Sequence, residues 1–156
     1  MTIKKSYFIP GEALVFRASE IGVHKRNNVL TVFIHDADLM NPTARDSNIK
    51  VLELGDTIKF IGLIDASSFS QLYSAPINSM SISKDDLLVT IGGQGIGYLD
   101  LSDSKIKGTF VDLENEPSLQ DFTLDNTAYL RVVINSRSID KLTALVTTSN
   151  SYNYVF

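Results

Sequence analysis

The chain has no cysteine among its 156 residues. Disulfides, thiolate metal sites and cysteine nucleophiles are therefore excluded together. Tryptophan is absent as well, and there are only four prolines. Positive charge is in the minority, with 14 Lys and Arg against 18 Asp and Glu, a net charge of −4. Lys4-Lys5 and Lys25-Arg26 are adjacent basic pairs, and neither extends into a stripe. The electrostatic footprint of a nucleic-acid binder is missing, so no sequence-specific nucleic-acid partner is expected. No run approaches the roughly 18 apolar residues of a membrane span. Near the N-terminus, Pro10, Gly11 and Glu12 interrupt the apolar residues too early for a signal-peptide core. The expected setting is therefore one reached without a signal peptide. Amphipathic helical periodicity is also lacking.

What is present has a period of two. "EALVFRASEIGVH" (12–24) and "NVLTVFIHDAD" (28–38) are rich in β-branched and aromatic residues, and Asn27-Asn28 between them suits a hairpin turn. In the second segment Leu30, Val32 and Ile34 point one way, and Val29, Thr31, Phe33 and His35 the other. Apolar residues on both faces predict a central strand covered on both sides. Gly55-Asp56 divides "IKVLELGDTIKFIGLID" into two strands, with Ile58, Phe60, Gly62 and Ile64 on one face. Residues 66–81 are Ser-rich yet apolar enough to predict an ordered excursion that packs on something. "DDLLVTI", "IGYLDL", "KGTFVDL", "TAYLRVVIN", "KLTALVTTS" and "YNYVF" read as further strands. "ENEPSLQDF" is the one place that allows a helical turn. Strands recurring about every 8–12 residues predict an all-β, single-domain sandwich or barrel of short antiparallel strands with little helix, spanning 1–156.

"TIGGQGIGYLDL" (90–101) raises the question of a phosphate-binding loop. The dinucleotide fingerprint needs glycines at relative positions one, three and six. Counting from Gly93 the sixth position is Tyr98, and from Gly95 it is Asp100. Gly92 and Gly97 have the spacing of a nucleotide-triphosphate loop, but Tyr98 and Leu99 follow where Lys and a hydroxyl are required. "IGYLDL" alternates like a strand, so no helix N-terminus is offered to an anion. A tight turn explains the first glycines, and Gly97 marks a bulge or a close approach by a backbone or ring. The longer segment "SISKDDLLVTIGGQGIGYLDL" (81–101) is similar to one blade of a β-propeller, with an Asp-containing turn, an apolar strand, a Gly-rich turn and a strand ending near Asp. That resemblance implies a propeller of at least about four blades of roughly 40 residues each, although no repeat at that period is visible along the chain.

Other chemistry is sparse. His24 and His35 flank the first hairpin, which is expected to bring them close in space, and His35 precedes Asp36 and Asp38. A metal site would need His24, His35, Asp36 and Asp38 together, but neighbouring strand residues point to opposite faces and no known ligand spacing matches. No Gly-x-Ser-x-Gly elbow exists. Asp85-Asp86 and Glu114 with Glu116 lie in turn-like surroundings where carboxylates are solvated. No catalytic residue, metal or cofactor is therefore expected, and the protein is read as non-enzymatic. Tyr152, Tyr154 and Phe156 alternate at the end of the sequence and are the interface candidates. A short, cysteine-free, all-β chain rich in Ser, Asn and Thr looks like bacteriophage tail, head–tail joining or capsid-decoration proteins. On that resemblance its partners are identical copies and other virion structural proteins, and its place is the virion, assembled in the host cytoplasm. The alternative is a β-sandwich module that binds carbohydrate or another ligand on a tyrosine platform.

Overall fold

The computed structural model describes residues 18–36, 47–69, 75–92, 95–102, 108–112, 130–137, 142–148 and 153–155. The chain is all-β. The first sheet is a meander of β1 (Ala18–Arg26), β2 (Val29–Asp36), β3 (Asn48–Leu54) and β4 (Ile58–Ile64). The second is a meander of β5 (Ile77–Ser83), β6 (Asp86–Ile91), β7 (Gly95–Asp100) and β8 (Thr109–Asp112). The third has the order β11-β10-β9, from β9 (Leu130–Arg137), β10 (Leu142–Thr148) and β11 (Asn153–Val155). Every strand pair is antiparallel. A single 3₁₀ turn, Ala66–Ser68, is the helical element among the described residues.

Local chemistry sets the turns. Asn27 and Asn28 take positive φ, 47° and 65°, and close β1 on β2 with two residues. This is the primed turn whose twist matches the strands it joins. Gly55, Asp56 and Thr57 close β3 on β4. Lys84 and Asp85 close β5 on β6, with Lys84 at φ 54°. Gly92 sits at φ 55°, its N–H donating to the Pro76 carbonyl and its own carbonyl accepting from Asn78. The glycine stretch is thus the β6–β7 hairpin, with Ile91 opposite Gly95 and a strand where a phosphate site needs a helix.

The first and second sheets share one core. Phe33, Ile49, Val51 and Ile64 from the first meet Ile77, Met80, Leu87, Val89, Ile91 and Leu99 from the second. Full burial of one such side chain is worth about 1.5–3 kcal/mol. The other face of the second sheet is closed too, with Thr90, Leu88 and Ile96 buried and β9 lying against β5 and β6. As a result β6 is buried along its whole length, which explains its near-continuous apolar run. β2 has β1 and β3 on its sides and is buried on both faces from Phe33 to Asp36, as its pattern predicts.

Two expectations need correction. The excursion expected over 66–81 is shorter. Ala66 and Phe69 pack into the core, but from Ile77 the chain is already strand β5. A bulge at Asn78 breaks the period there, and the serines read as loop are Ser79 and Ser81, which alternate with Met80 and Ile82. The face expected for Ile58, Phe60, Gly62 and Ile64 splits at a second bulge, where Ile61 is the extra residue. Phe60 therefore faces outward, about half exposed, while Ile64 is in the core. The helical turn allowed over 114–122 lies outside the described residues.

Gly97 carries the close approach expected of it. A Cβ there would lie 2.6 Å from the Phe69 ring and 2.7 Å from Val89 Cγ2. Gly62 has open space instead. In chemical denaturation, Gly97→Ala should cost about 1–3 kcal/mol by overpacking. Gly62→Ala should fall within about 1 kcal/mol of the native chain. Equal effects at the two positions would refute the ring-on-glycine packing.

Candidate functional site

β1, β5 and β9 are the opening strands of the three sheets, and each is an outer strand of its sheet. They converge. Glu20, Ile21 and Gly22 of β1, Met80, Ser81 and Ile82 of β5, and Val132 and Val133 of β9 line one crevice of about 360 Å³.

Polar side chains stitch these strands together. A bulge after Ala18 turns Ser19 inward and sets Glu20 opposite His35. Glu20 Oε2 accepts the backbone N–H of Met80, and Oε1 accepts from Ser79 Oγ at 2.9 Å. Ser79 Oγ in turn accepts the N–H of Val132 at 3.4 Å, and Ser81 Oγ accepts the N–H of Ile134 at 3.0 Å. Burial pushes the Glu20 carboxyl up. The His35 ring, Met80 N–H and Ser79 hydroxyl outweigh this and hold it below the usual glutamate range.

Behind Glu20 lies His35, fully buried. Its Nε2 is 2.7 Å from the Ile77 carbonyl and 3.1 Å from Ser47 Oγ. A carbonyl can only accept, which assigns the proton to Nε2. Nδ1 lies 2.7 Å from Ser19 Oγ and 3.6 Å from Glu20 Oε2. Ser47, His35 and Glu20 have the composition of a hydrolytic triad, but Ser47 Oγ also donates to the Ile77 carbonyl. Both hydrogens that a nucleophile and its base would exchange are thus directed at one backbone oxygen in the interior. The arrangement anchors β5 to the first sheet.

His24 makes a second anchor, its Nε2 2.7 Å from Asp85 Oδ1 in the β5–β6 turn. The two histidines do not come together, which corrects the expected proximity. In register His24 stands opposite Thr31 near the turn, and His35 opposite Glu20 at the far end. Asp36 points away from His35 and pairs with Lys50, while Asp38 lies outside the described residues. Among the described residues no group of three or more His, Asp or Glu could hold a metal ion. Asp85 and Asp86 also diverge. Asp85 is exposed, whereas Asp86 is buried and accepts from Tyr98 Oη at 2.9 Å, so only one of the two carboxylates is solvated as expected. Glu114 and Glu116 lie outside the described residues.

Of the interface candidates, Tyr152 and Phe156 lie outside the described residues. Tyr154 belongs to β11 and stands opposite Val146 of β10. Among the described residues, large apolar side chains are left exposed on other strands, including β1 and β4. Ile21, Val23, Phe60 and Leu63 are 65%, 54%, 48% and 54% exposed on the outer face of the first sheet. The register places them in two adjacent rows, Ile21–Ile34–Lys50–Leu63 and Val23–Val32–Leu52–Phe60. The centre of that face, at Ile34 and Leu52, is buried. No helix among the described residues is long and apolar enough to cross a membrane. No family model matches the chain, and no curated protein matches it.

The sign of the Glu20 contribution follows from its lowered pKa. Its stabilisation is present above the unfolded carboxyl value and is lost as pH falls through the lower folded value. Glu20→Gln should therefore flatten the acid limb of a stability-versus-pH curve. Glu20→Ala should cost about 1.5–3 kcal/mol at neutral pH, the range for hydrogen bonds to a charged group. An acid limb unchanged in Glu20→Gln would show that the carboxylate does not hold the seam.

Proposed function

We propose that this protein is a non-enzymatic structural component of a multi-subunit assembly. The observation that carries this reading is the open apolar rim of the first sheet, formed by Ile21, Val23, Phe60 and Leu63. Large apolar side chains left exposed along both edges of one sheet face mark candidate protein–protein contact. The polar groups best placed for chemistry, Glu20, His35 and Ser47, are engaged in holding strands. The narrower reading is a bacteriophage virion component, a tail, head–tail joining or capsid-decoration protein, with identical copies and other virion proteins as partners. It rests on the style of the sequence. A carbohydrate-binding module is the alternative, and its tyrosine platform would need Tyr152 and Tyr154 on an open face.

The test is the mass of the natively purified particle that contains the chain. A particle of many subunits supports the assembly reading, and a free 17.2-kDa monomer overturns it. Removal of 151–156 takes away β11, an outer strand of the third sheet. It should weaken incorporation into the particle more than it lowers the thermal unfolding midpoint. Outright unfolding of the truncated chain would assign the terminal strand to the chain's own core instead.

A further inference from the structure

Glu20 carries a charge that the seam does not neutralise. A carboxylate offers about four lone-pair positions. The Ser79 hydroxyl fills one on Oε1, and the Met80 N–H fills one on Oε2. The His35 ring stands 3.6 Å from Oε2, but its proton is on the nitrogen turned to the Ile77 carbonyl. Among the described residues no lysine or arginine pairs with Glu20. The carboxyl is held below the usual glutamate range, so it is ionised at neutral pH. Its side chain is about 30% exposed, and Glu20 lines the crevice where β1, β5 and β9 meet. A carboxylate partly withdrawn from water, with lone pairs to spare, favours a cation beside it.

The walls of that crevice are apolar. Ile21 of β1, Met80 and Ile82 of β5, and Val132 and Val133 of β9 supply them. Ile21 and Val133 are the two most exposed of the large apolar side chains among the described residues, and both border this one crevice. Its volume of about 360 Å³ falls within the roughly 300–1,000 Å³ of small-ligand pockets, which are apolar with a few convergent polar groups. We propose that the crevice binds a primary ammonium group on a short aliphatic stem, with the ammonium on Glu20 and the stem along the apolar walls.

The chemistry selects this class over its neighbours. An anion is repelled by Glu20, and a sugar would set its hydroxyls against apolar walls. A guanidinium binds best as a fork on both oxygens of a carboxylate, and here each oxygen already accepts another donor. An ammonium is a compact point charge that needs only the lone pairs left over. The group can arrive on a free aliphatic amine or on the lysine side chain of a partner, which is itself an aminobutyl group. Both are charged at neutral pH, with an ordinary pKa of about 10.4 for lysine. The site stands independently of the assembly reading.

The experiment titrates the purified full-length chain at pH 7 with n-butylamine, n-butanol and butyrate, and follows backbone amide shifts by NMR. Butylamine should saturate, with shifts centred on Glu20, Gly22, Met80, Ser81 and Val133. Butanol should bind about tenfold more weakly or worse, the factor for losing a hydrogen bond to a charged group, and butyrate should not bind. Glu20→Gln should weaken butylamine by a similar factor. Because Glu20 also holds the seam, Val133→Lys and Val133→Met test the site from an exposed position, with far-UV circular dichroism verifying the fold. The lysine introduced at 133 brings a tethered ammonium and should abolish butylamine binding, whereas the uncharged methionine should keep it. Nα-acetyl-lysine methylamide distinguishes the two sources: binding like that of butylamine assigns the crevice to a partner's lysine, and binding of the free amine alone assigns it to a small molecule. No saturation by butylamine overturns the proposal, as do equal affinities for butylamine and butanol, shifts centred away from the crevice, or undiminished binding in Val133→Lys.

Discussion

The backbone N–H of Met80 is the constraint on which much of this structure turns. β5 is the outer strand of its sheet, and an outward N–H brought close to another sheet must find an acceptor. Glu20 supplies a carboxylate, which binds such a group more strongly than a neutral acceptor does. The consequence for β1 is geometric. Strand side chains alternate, so placing Glu20 inward places Gly22 and His24 inward as well. Gly22 then packs against Ile82, where a Cβ would lie 2.5 Å from Cδ1, and His24 reaches Asp85. Ile21 and Val23 are left pointing outward. The apolar rim of the first sheet is thus the other side of the same choice.

That inversion also marks where the sequence was legible and where it was not. Period-two patterning, Asn27-Asn28 and the glycine pairs correctly indicate an all-β chain, its hairpins and most of its strands. "DDLLVTI" reads correctly as a strand, and the segment resembling a propeller blade falls on β5, β6 and β7 of a four-stranded meander. Gly97 was rightly suspected of a close approach, although Phe69 as the approaching ring could not be known before the chain between them was folded. The two bulges at Asn78 and Ile61 defeated the pattern, because one extra residue shifts every later side chain to the other face.

The seam was harder to read than the strands. In "ASEIGVH" a hydrophobicity rule would place Ile21 and Val23 in the core and Glu20 in solvent. The available signal was Glu20, Gly22 and His24 on one face of a strand otherwise rich in apolar residues, a polar face that needed partners. Their partners, Ser79, Met80 and Asp85, lie about sixty residues away. No local pattern links such positions. The histidines show the same limit, since their placement beside a shared hairpin suggested proximity that the register rules out.

A polar seam of this kind has a role that an apolar one would not fill. Packed leucines would stabilise contact between two sheets over a range of offsets, whereas a carboxylate on one N–H and a hydroxyl on the next fix one offset and one order. Ser79 shows this most directly, since its hydroxyl donates to Glu20 while it accepts from Val132 and so holds three strands in register. Each opening strand in this chain is positioned by the one before it, and β1 is the position from which that sequence of contacts starts.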